Sequence, residues 1–197
     1  MTDYDVIRNE TVIRRNDQIS GTMDDLVSRA KHGDQDAFGL IYREYVQSIY
    51  KYIYIRVNND TKQAEDLTQE VFLKALNNLD SYRFRGKPFG SWLFRIAHNL
   101  VIDYYRKPGN GNITSMTEST IIISEDDPVA SFEHSSEMDE VKRAIDKLPA
   151  QQKEIITMRF TNGLSVAETA DALGKTKGTV KKLQHVALVK LKKLMKR

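Results

Sequence analysis

The sequence predicts an all-α protein, two small helical domains joined by a flexible linker. Three observations lead there. Apolar residues recur at three- and four-residue spacing on both sides of a single break. The break, residues 108–136, opens with Pro108, Gly109 and Gly111 and is rich in Ser, Thr and acids, which is the composition of a tether. Charge is also partitioned. The net charge of +3 over 197 residues divides into −1 for residues 1–23, +2 for 24–107, −5 for 108–136 and +7 for 137–197. These segments read as an N-terminal extension without clear periodicity, a first helical domain, an acidic linker and a second helical domain.

In the first domain, residues 36–57 place Phe38, Ile41, Tyr42, Tyr45, Ile49 and Ile53 on one stripe. Residues 50–55 alternate as a strand would, but the stripe runs too long for a strand, so a helix is expected. Asp60 or Thr61 caps the next helix, which turns Ala64, Leu67, Val71, Ala75 and Leu79 inward. Glu65, Asp66, Gln69, Glu70 and Lys74 are left outside. A third helix is expected from near Ser91, as N-cap, to just before Pro108, burying Leu93, Ile96, Ala97, Leu100 and Tyr104.

In the second domain Met138, Val141, Ile145 and Leu148 form the first stripe. Pro149 ends that helix and suits the opening turn of the next, which fades at Asn162-Gly163. Ser165 and Glu168 frame a capping box. The short helix it opens ends at Leu173-Gly174, and Thr176 caps a long final helix able to bury Val180, Leu183, Ala187, Leu191 and Leu194.

Several function classes fall away. The chain has no cysteine, so disulfides and thiolate metal sites are impossible and a reducing cytoplasm suits it. No apolar run is long enough to cross a bilayer, and the polar, acidic start does not read as a signal peptide. His32, His98, His134 and His185 are scattered without metal-ligand spacing. Gly-rich phosphate loops, GxSxG and HExxH are missing. No cofactor is expected, and no catalytic residue.

Two constellations remain. Residues 165–194 form a short helix, a glycine turn and a helix with a basic face, which is helix-turn-helix geometry. Residues 175–197 hold nine basic groups and no acid. Gly174 supplies the turn's positive φ, Ala170 the room for close approach, and Val180 and Leu183 the lock between helices. Lys177, Lys181, Lys182, Gln184 and His185 then face outward near the start of the second helix, where base edges and phosphates are read. A plain amphipathic pair with a solvated lysine face has the same pattern. The second constellation, residues 80–107, interleaves Arg83, Phe84, Arg85, Lys87, Phe89, Trp92, Phe94, Arg95, Tyr104, Tyr105 and Arg106. Cations for phosphates beside flat rings for unstacked bases suit single-stranded nucleic acid, although Trp92 and Phe94 equally suit a core.

Three blocks, AEDLTQEVFLKAL (64–76), FGSWLFRIAHNLVIDYYRK (89–107) and LPAQQKEIITMRFTNGLSVAETADALGKTKGTVKKLQHVAL (148–188), resemble the sigma-70 family of bacterial RNA polymerase sigma factors, of the extracytoplasmic function (ECF) type. The resemblance implies a cytoplasmic, non-enzymatic subunit that binds core RNA polymerase and directs promoter recognition and melting. It assigns Asp66, Gln69, Glu70 and Leu73 to the β′ clamp, with the β subunit as a further contact of the chain. It assigns Arg83, Arg85, Lys87, Arg95, His98, Asn99, Asp103 and Arg106 to the minus-ten element. Lys177, Thr179, Lys181, Lys182 and His185 fall to the minus-thirty-five element. It further implies an anti-sigma factor as regulator. Many relatives carry Arg where this chain has Leu183 or Val186, and an apolar residue at Gln184. A polymerase-independent operator-binding regulator is the rival reading. A nucleic-acid enzyme is a weaker one, for which the chain offers no compact site.

Overall fold

Side-chain caps set most of the helix starts. The computed structural model describes residues 22–83, 87–107 and 136–195, with only the backbone at 136–139. Thr22 accepts from the Asp25 amide and opens α1 (Met23–Lys31), and Asp34 accepts from Ala37 and opens α2 (Gln35–Arg56). Residues 50–55 therefore belong to a helix. The chain then turns through Asn58 and Asn59, both in the left-handed region at φ 57 and 63, which asparagine tolerates better than most residues. Asp60, not Thr61, is the next cap, accepting from Gln63 at 3.0 Å and opening α3 (Thr61–Asn77). A 3-10 turn, Leu79–Ser81, closes that segment.

Helix α4 (Phe89–Arg106) departs from expectation at its start. Pro88 occupies the cap position with φ −59, and its preset backbone and missing N–H suit the entry to a helix. Ser91 sits inside the first turn, 1% exposed, and its hydroxyl has no hydrogen-bond partner. Gly90 is needed for contact, because a Cβ there would lie 3.1 Å from the Tyr45 ring. The buried stripe is also wider than periodicity suggests. Leu93, Ala97 and Leu100 are buried as expected, whereas Ile96 and Tyr104 are half-buried and Phe94, His98 and Val101 take their place inside. The reason is that α4 is covered twice, by its own domain and by the second one.

The second domain begins with α5 (Ser136–Asp146) and α6 (Ala150–Ile156), the latter entered through Pro149. A wider, π-type turn, Thr157–Thr161, continues α6. Gly163 (φ 69) ends that segment, and Gly174 (φ 62) makes the turn between α7 (Val166–Ala172) and α8 (Lys177–Leu194). Both halves of the capping box at the start of α7 are made: Glu168 N–H to the Ser165 hydroxyl, and Ser165 N–H to the Glu168 carboxylate at 2.8 Å. Thr176 caps α8 by accepting from Thr179 at 3.1 Å. Val180 and Ala187 are fully buried on α8, whereas Leu183, Leu191 and Leu194 are only half-buried. The described residues contain no strand.

The two domains share a core. α7 packs along α4, and the turn after α6 packs on α2. The apolar cluster that begins with Leu26, Ile41, Ile53, Val71 and Leu93 continues without a gap into Ile155, Met158, Leu164, Ala172 and Val180. Leu148, Ile156 and Ala187 form a smaller cluster beneath α8. The linker assigned to 108–136 lies outside the described residues except for Ser136, which already belongs to α5. The extension assigned to 1–23 is described only from Thr22, and Met23 is helical.

Ser165→Ala removes one half of the box that starts α7. It is expected to lower stability by about 1 kcal/mol, read as a shift of the urea midpoint at unchanged m value.

Candidate nucleic-acid interface

On α8 the sequence-assigned residues stay together. Lys177, Thr179, Lys181, Lys182 and His185 are all exposed within the first three turns, a cationic face held in place by Val180 beneath it. The Thr179 hydroxyl also meets that of Thr176 at 2.9 Å, so it is tied into the cap. Gln184 is held by its neighbour: Arg159 Nε donates to Gln184 Oε1 at 3.0 Å.

The residues of 80–107 divide. Arg83, Asn99, Asp103 and Arg106 lie on open surface, the last two as an exposed pair 3.6 Å apart. Phe84 and Arg85 fall outside the described residues. Lys87, Arg95 and His98 instead turn toward the second domain. Lys87 and Arg95 both pair with Asp171 of α7, and Arg95 Nε also donates to the Asp171 carbonyl at 3.1 Å. Lys87 and Arg95 share an open cleft with Lys175 and Lys177. Phe94 is core, edge-on to Tyr52. Trp92 is half-buried among Tyr82 and Phe89.

The outer face of α3 is unobstructed. Asp66 and Gln69 are exposed, Glu70 pairs with Lys74 at 3.1 Å, and Leu73 is 61% exposed. Leu76, absent from the expected site, and Tyr42, expected on the apolar stripe of α2, are further exposed apolar residues on α3 and α2. Leu76 is signalled only by its three-residue spacing from Leu73.

Sequence reasoning also missed Glu154 of α6. Its one signal is an acid standing directly before the apolar pair Ile155-Ile156. Glu154 is 0% exposed and lies against the first domain. Its Oε1 accepts from the Tyr52 hydroxyl at 2.7 Å and from His98 Nδ1 at 2.7 Å, and Arg56 Nε stands 3.7 Å away. Arg56 also donates to the Ala150 carbonyl at 3.3 Å. Burial alone would raise the Glu154 carboxyl, but the Arg56 charge and the hydrogen bonds from His98 and Tyr52 outweigh it and hold it down at about 2. The same burial, with the Glu154 charge beside it, pushes the Tyr52 phenol well above its usual value. Among the described residues no cluster of His and acids suits a metal ion, and no helix is long and apolar enough to cross a membrane.

A capped, lysine-faced helix-turn-helix following a domain with open acidic and cationic faces is the arrangement of a promoter-recognition protein. Models of sigma-70 region 2 and sigma-70 region 4 match residues 41–110 and 144–193, and the chain belongs to the sigma-70 family, among its ECF RNA polymerase sigma factors. The ECF sigma factor BldN of Streptomyces coelicolor is 40% identical over 91% of this chain and 68% of its own length. SigW of Bacillus subtilis is 32% identical over 86% of this chain and 95% of its own. Among solved structures, CnrH in complex with the cytosolic domain of CnrY shares the fold, with a TM-score of 0.64 at 24% identity over 87% of this chain and 95% of that one. The sigma factor RpoE in complex with the anti-sigma factor NepR, from Bartonella quintana, gives 0.59 at 26% identity over 79% and 96%.

The depressed Glu154 carboxyl makes the stability depend on pH. Its contribution is full above the ordinary value of 4.5 and is lost as pH falls through about 2. Glu154→Gln is expected to cost on the order of 3 kcal/mol at pH 7. In urea titrations the gap to the parent protein closes as pH is lowered toward 2.

Proposed function

We propose that this ECF sigma factor works by binding alone, through three surfaces with three different partners. The outer face of α3, with Asp66, Gln69, Glu70 and Leu73, grips the β′ clamp of core RNA polymerase. Acids around an exposed leucine suit a basic, partly apolar protein surface, and they would repel DNA. The loop with Arg83, Arg85 and Lys87, and α4 with Arg95, His98, Asn99, Asp103 and Arg106, take the minus-ten element as it melts. Helix α8 enters the major groove of the minus-thirty-five element, with Lys177, Lys181, Lys182 and His185 on phosphates and base edges and Thr179 beside them. The observation that carries this reading is the separation of the acidic face of α3 from the cationic face of α8.

The chain contributes specificity and binding energy, whereas nucleotide addition belongs to the polymerase it joins. Its place of work is the cytoplasm, where polymerase and chromosome meet. The regulator that suits such exposed faces is an anti-sigma protein, the kind of partner that RpoE has in its complex with NepR.

Run-off transcription with purified core polymerase on a panel of promoters tests the reading. Transcripts should start at defined sites only when this chain is added. Failure on every promoter, together with tight binding of operator DNA by the free protein, would instead establish a polymerase-independent regulator. Asp66→Ala with Glu70→Ala should weaken core binding about tenfold or more at unchanged helical content. Lys181→Ala with Lys182→Ala should lower the slope of log affinity for promoter DNA against log salt by about 2. An unchanged slope removes both lysines from the interface.

A further inference from the structure

Helix α1 has no part in the function proposed above, yet its last residue reaches the segment assigned to melting DNA. Leu26, Val27 and Ala30 bury the inner side of α1 in the core of the first domain. That packing sets the end of the helix beside the 3-10 turn Leu79–Ser81. From there Lys31 meets Tyr82 in two ways. Its Nζ donates to the Tyr82 carbonyl, and it stands over the Tyr82 ring, 5.5 Å from the centroid. An ammonium on a carbonyl and over a ring makes charge-assisted contacts, which strengthen where water is excluded.

Tyr82, 4% exposed, is a junction. Its ring packs edge-on against Phe89 at 5.3 Å and tilted against Trp92 at 5.4 Å, both in the first turn of α4. Its hydroxyl donates to the Lys87 carbonyl at 3.0 Å. Its own carbonyl accepts from Arg83 Nη1 at 3.2 Å as well as from Lys31, and the same guanidinium reaches the Asp80 carbonyl. One residue thus ties down the Arg83 side chain and the Lys87 backbone. It does so against the helix whose open edge carries Asn99, Asp103 and Arg106.

We propose that Lys31 is a positioning residue for minus-ten recognition: it holds Tyr82, and Tyr82 fixes Arg83 and Lys87 relative to α4. Lys31 acts through Tyr82 and not on the strand. A surface that is in its binding-ready form only part of the time binds in proportion to that fraction, and one ordered beforehand avoids the cost of ordering on contact. The inference rests on the sigma-factor reading, because it takes the minus-ten strand as the ligand of Arg83 and Lys87.

Variants of the full chain, assembled with core polymerase, test this at a promoter that the parent opens. Opening is read as permanganate reactivity of the melted thymines against protein concentration, and folding by circular dichroism. Lys31→Met keeps an apolar stem and removes the donor and the charge. It should raise the concentration for half-maximal opening roughly tenfold, while affinities for core polymerase and for minus-thirty-five duplex stay parental. Lys31→Arg, which can still donate to the carbonyl and lie over the ring, should recover most of that loss. Should Lys31→Met not fold, Tyr82→Phe decides, since it keeps the ring and loses only the bond to Lys87; parental opening by that variant rejects the role. In an Arg83→Ala background the effect of Lys31→Met should shrink. An undiminished effect would place Lys31 on the DNA itself and overturn the proposal. Parental opening by folded Lys31→Met overturns it too, as does an equal fall in core affinity, which marks a general loss of structure. If the parent opens no promoter with core polymerase, the sigma-factor reading fails and the positioning role falls with it.

Discussion

The Glu154 carboxylate, removed from water where three helices meet, is the constraint on which the arrangement of this molecule depends. Taking a carboxylate to zero exposure costs several kcal/mol unless its partners are well placed. Here Tyr52 and His98 donate to one oxygen and Arg56 stands close enough to supply the opposing charge. Those three side chains lie on α2 and α4, so α6 can sit against the first domain in only one register without stranding a charge. Once α6 is fixed, α7 lies along α4 and α8 turns its lysines outward. The apolar seam of Ile155 and Met158 supplies non-directional energy, and the carboxylate supplies direction. The cluster is not fully satisfied: the second oxygen of Glu154 and Nε of Arg56 have no hydrogen-bond partner. An interface with unmet groups costs less to reopen than a complete one, because water regains them on separation.

Helix α4 is the element on which both domains converge. One side completes the core of the first domain through Leu93, Ala97 and Leu100, and another meets α6 and α7 through Arg95 and His98. The remaining side leaves Asn99, Asp103 and Arg106 in solvent. Three environments around one helix explain why its composition is mixed and why its charged and aromatic residues interleave. Phe94 and Trp92 are there chiefly for packing, whereas the open polar edge is available to a ligand.

Much of this could be read from residues alone, and the boundary of legibility has a physical origin. Caps are local: Asp60, Ser165 with Glu168, and Thr176 each need only the next three residues to act, so they stand where the spacing puts them. Pro88 stands at the start of α4 in place of Ser91: its preset backbone suits the entry to a helix, and the turn it opens packs Gly90 closely on the Tyr45 ring. Periodicity reports which face of a helix is buried but is silent about what covers it. The buried stripe of α4 therefore differed from the simple pattern, and His98 and Arg95 were assigned to DNA with no sign that Glu154 and Asp171 would meet them. The exposed lysines of α8 and acids of α3 were legible because their surfaces follow from helix phase alone. The packing of one domain on the other rests on pairs such as Glu154 with His98 and Asp171 with Lys87, far apart in sequence, which no local pattern encodes.

The seam between the domains joins parts of one chain. Residues 107–135, at roughly 3.5 Å each when extended, could reach about 100 Å, so the tether neither forces the domains together nor holds them apart. What it does set is a local concentration. A covalent connection makes the contact intramolecular, and the effective concentration of one domain before the other is then about millimolar. An interface with a dissociation constant in that range, too weak to register between separated domains, would still be half-occupied in the intact chain. Its occupancy would also be independent of how much protein the cell makes. A competing partner would then face a fixed opposing concentration, and the length of the connecting segment, with no change at the contact itself, would be enough to reset it.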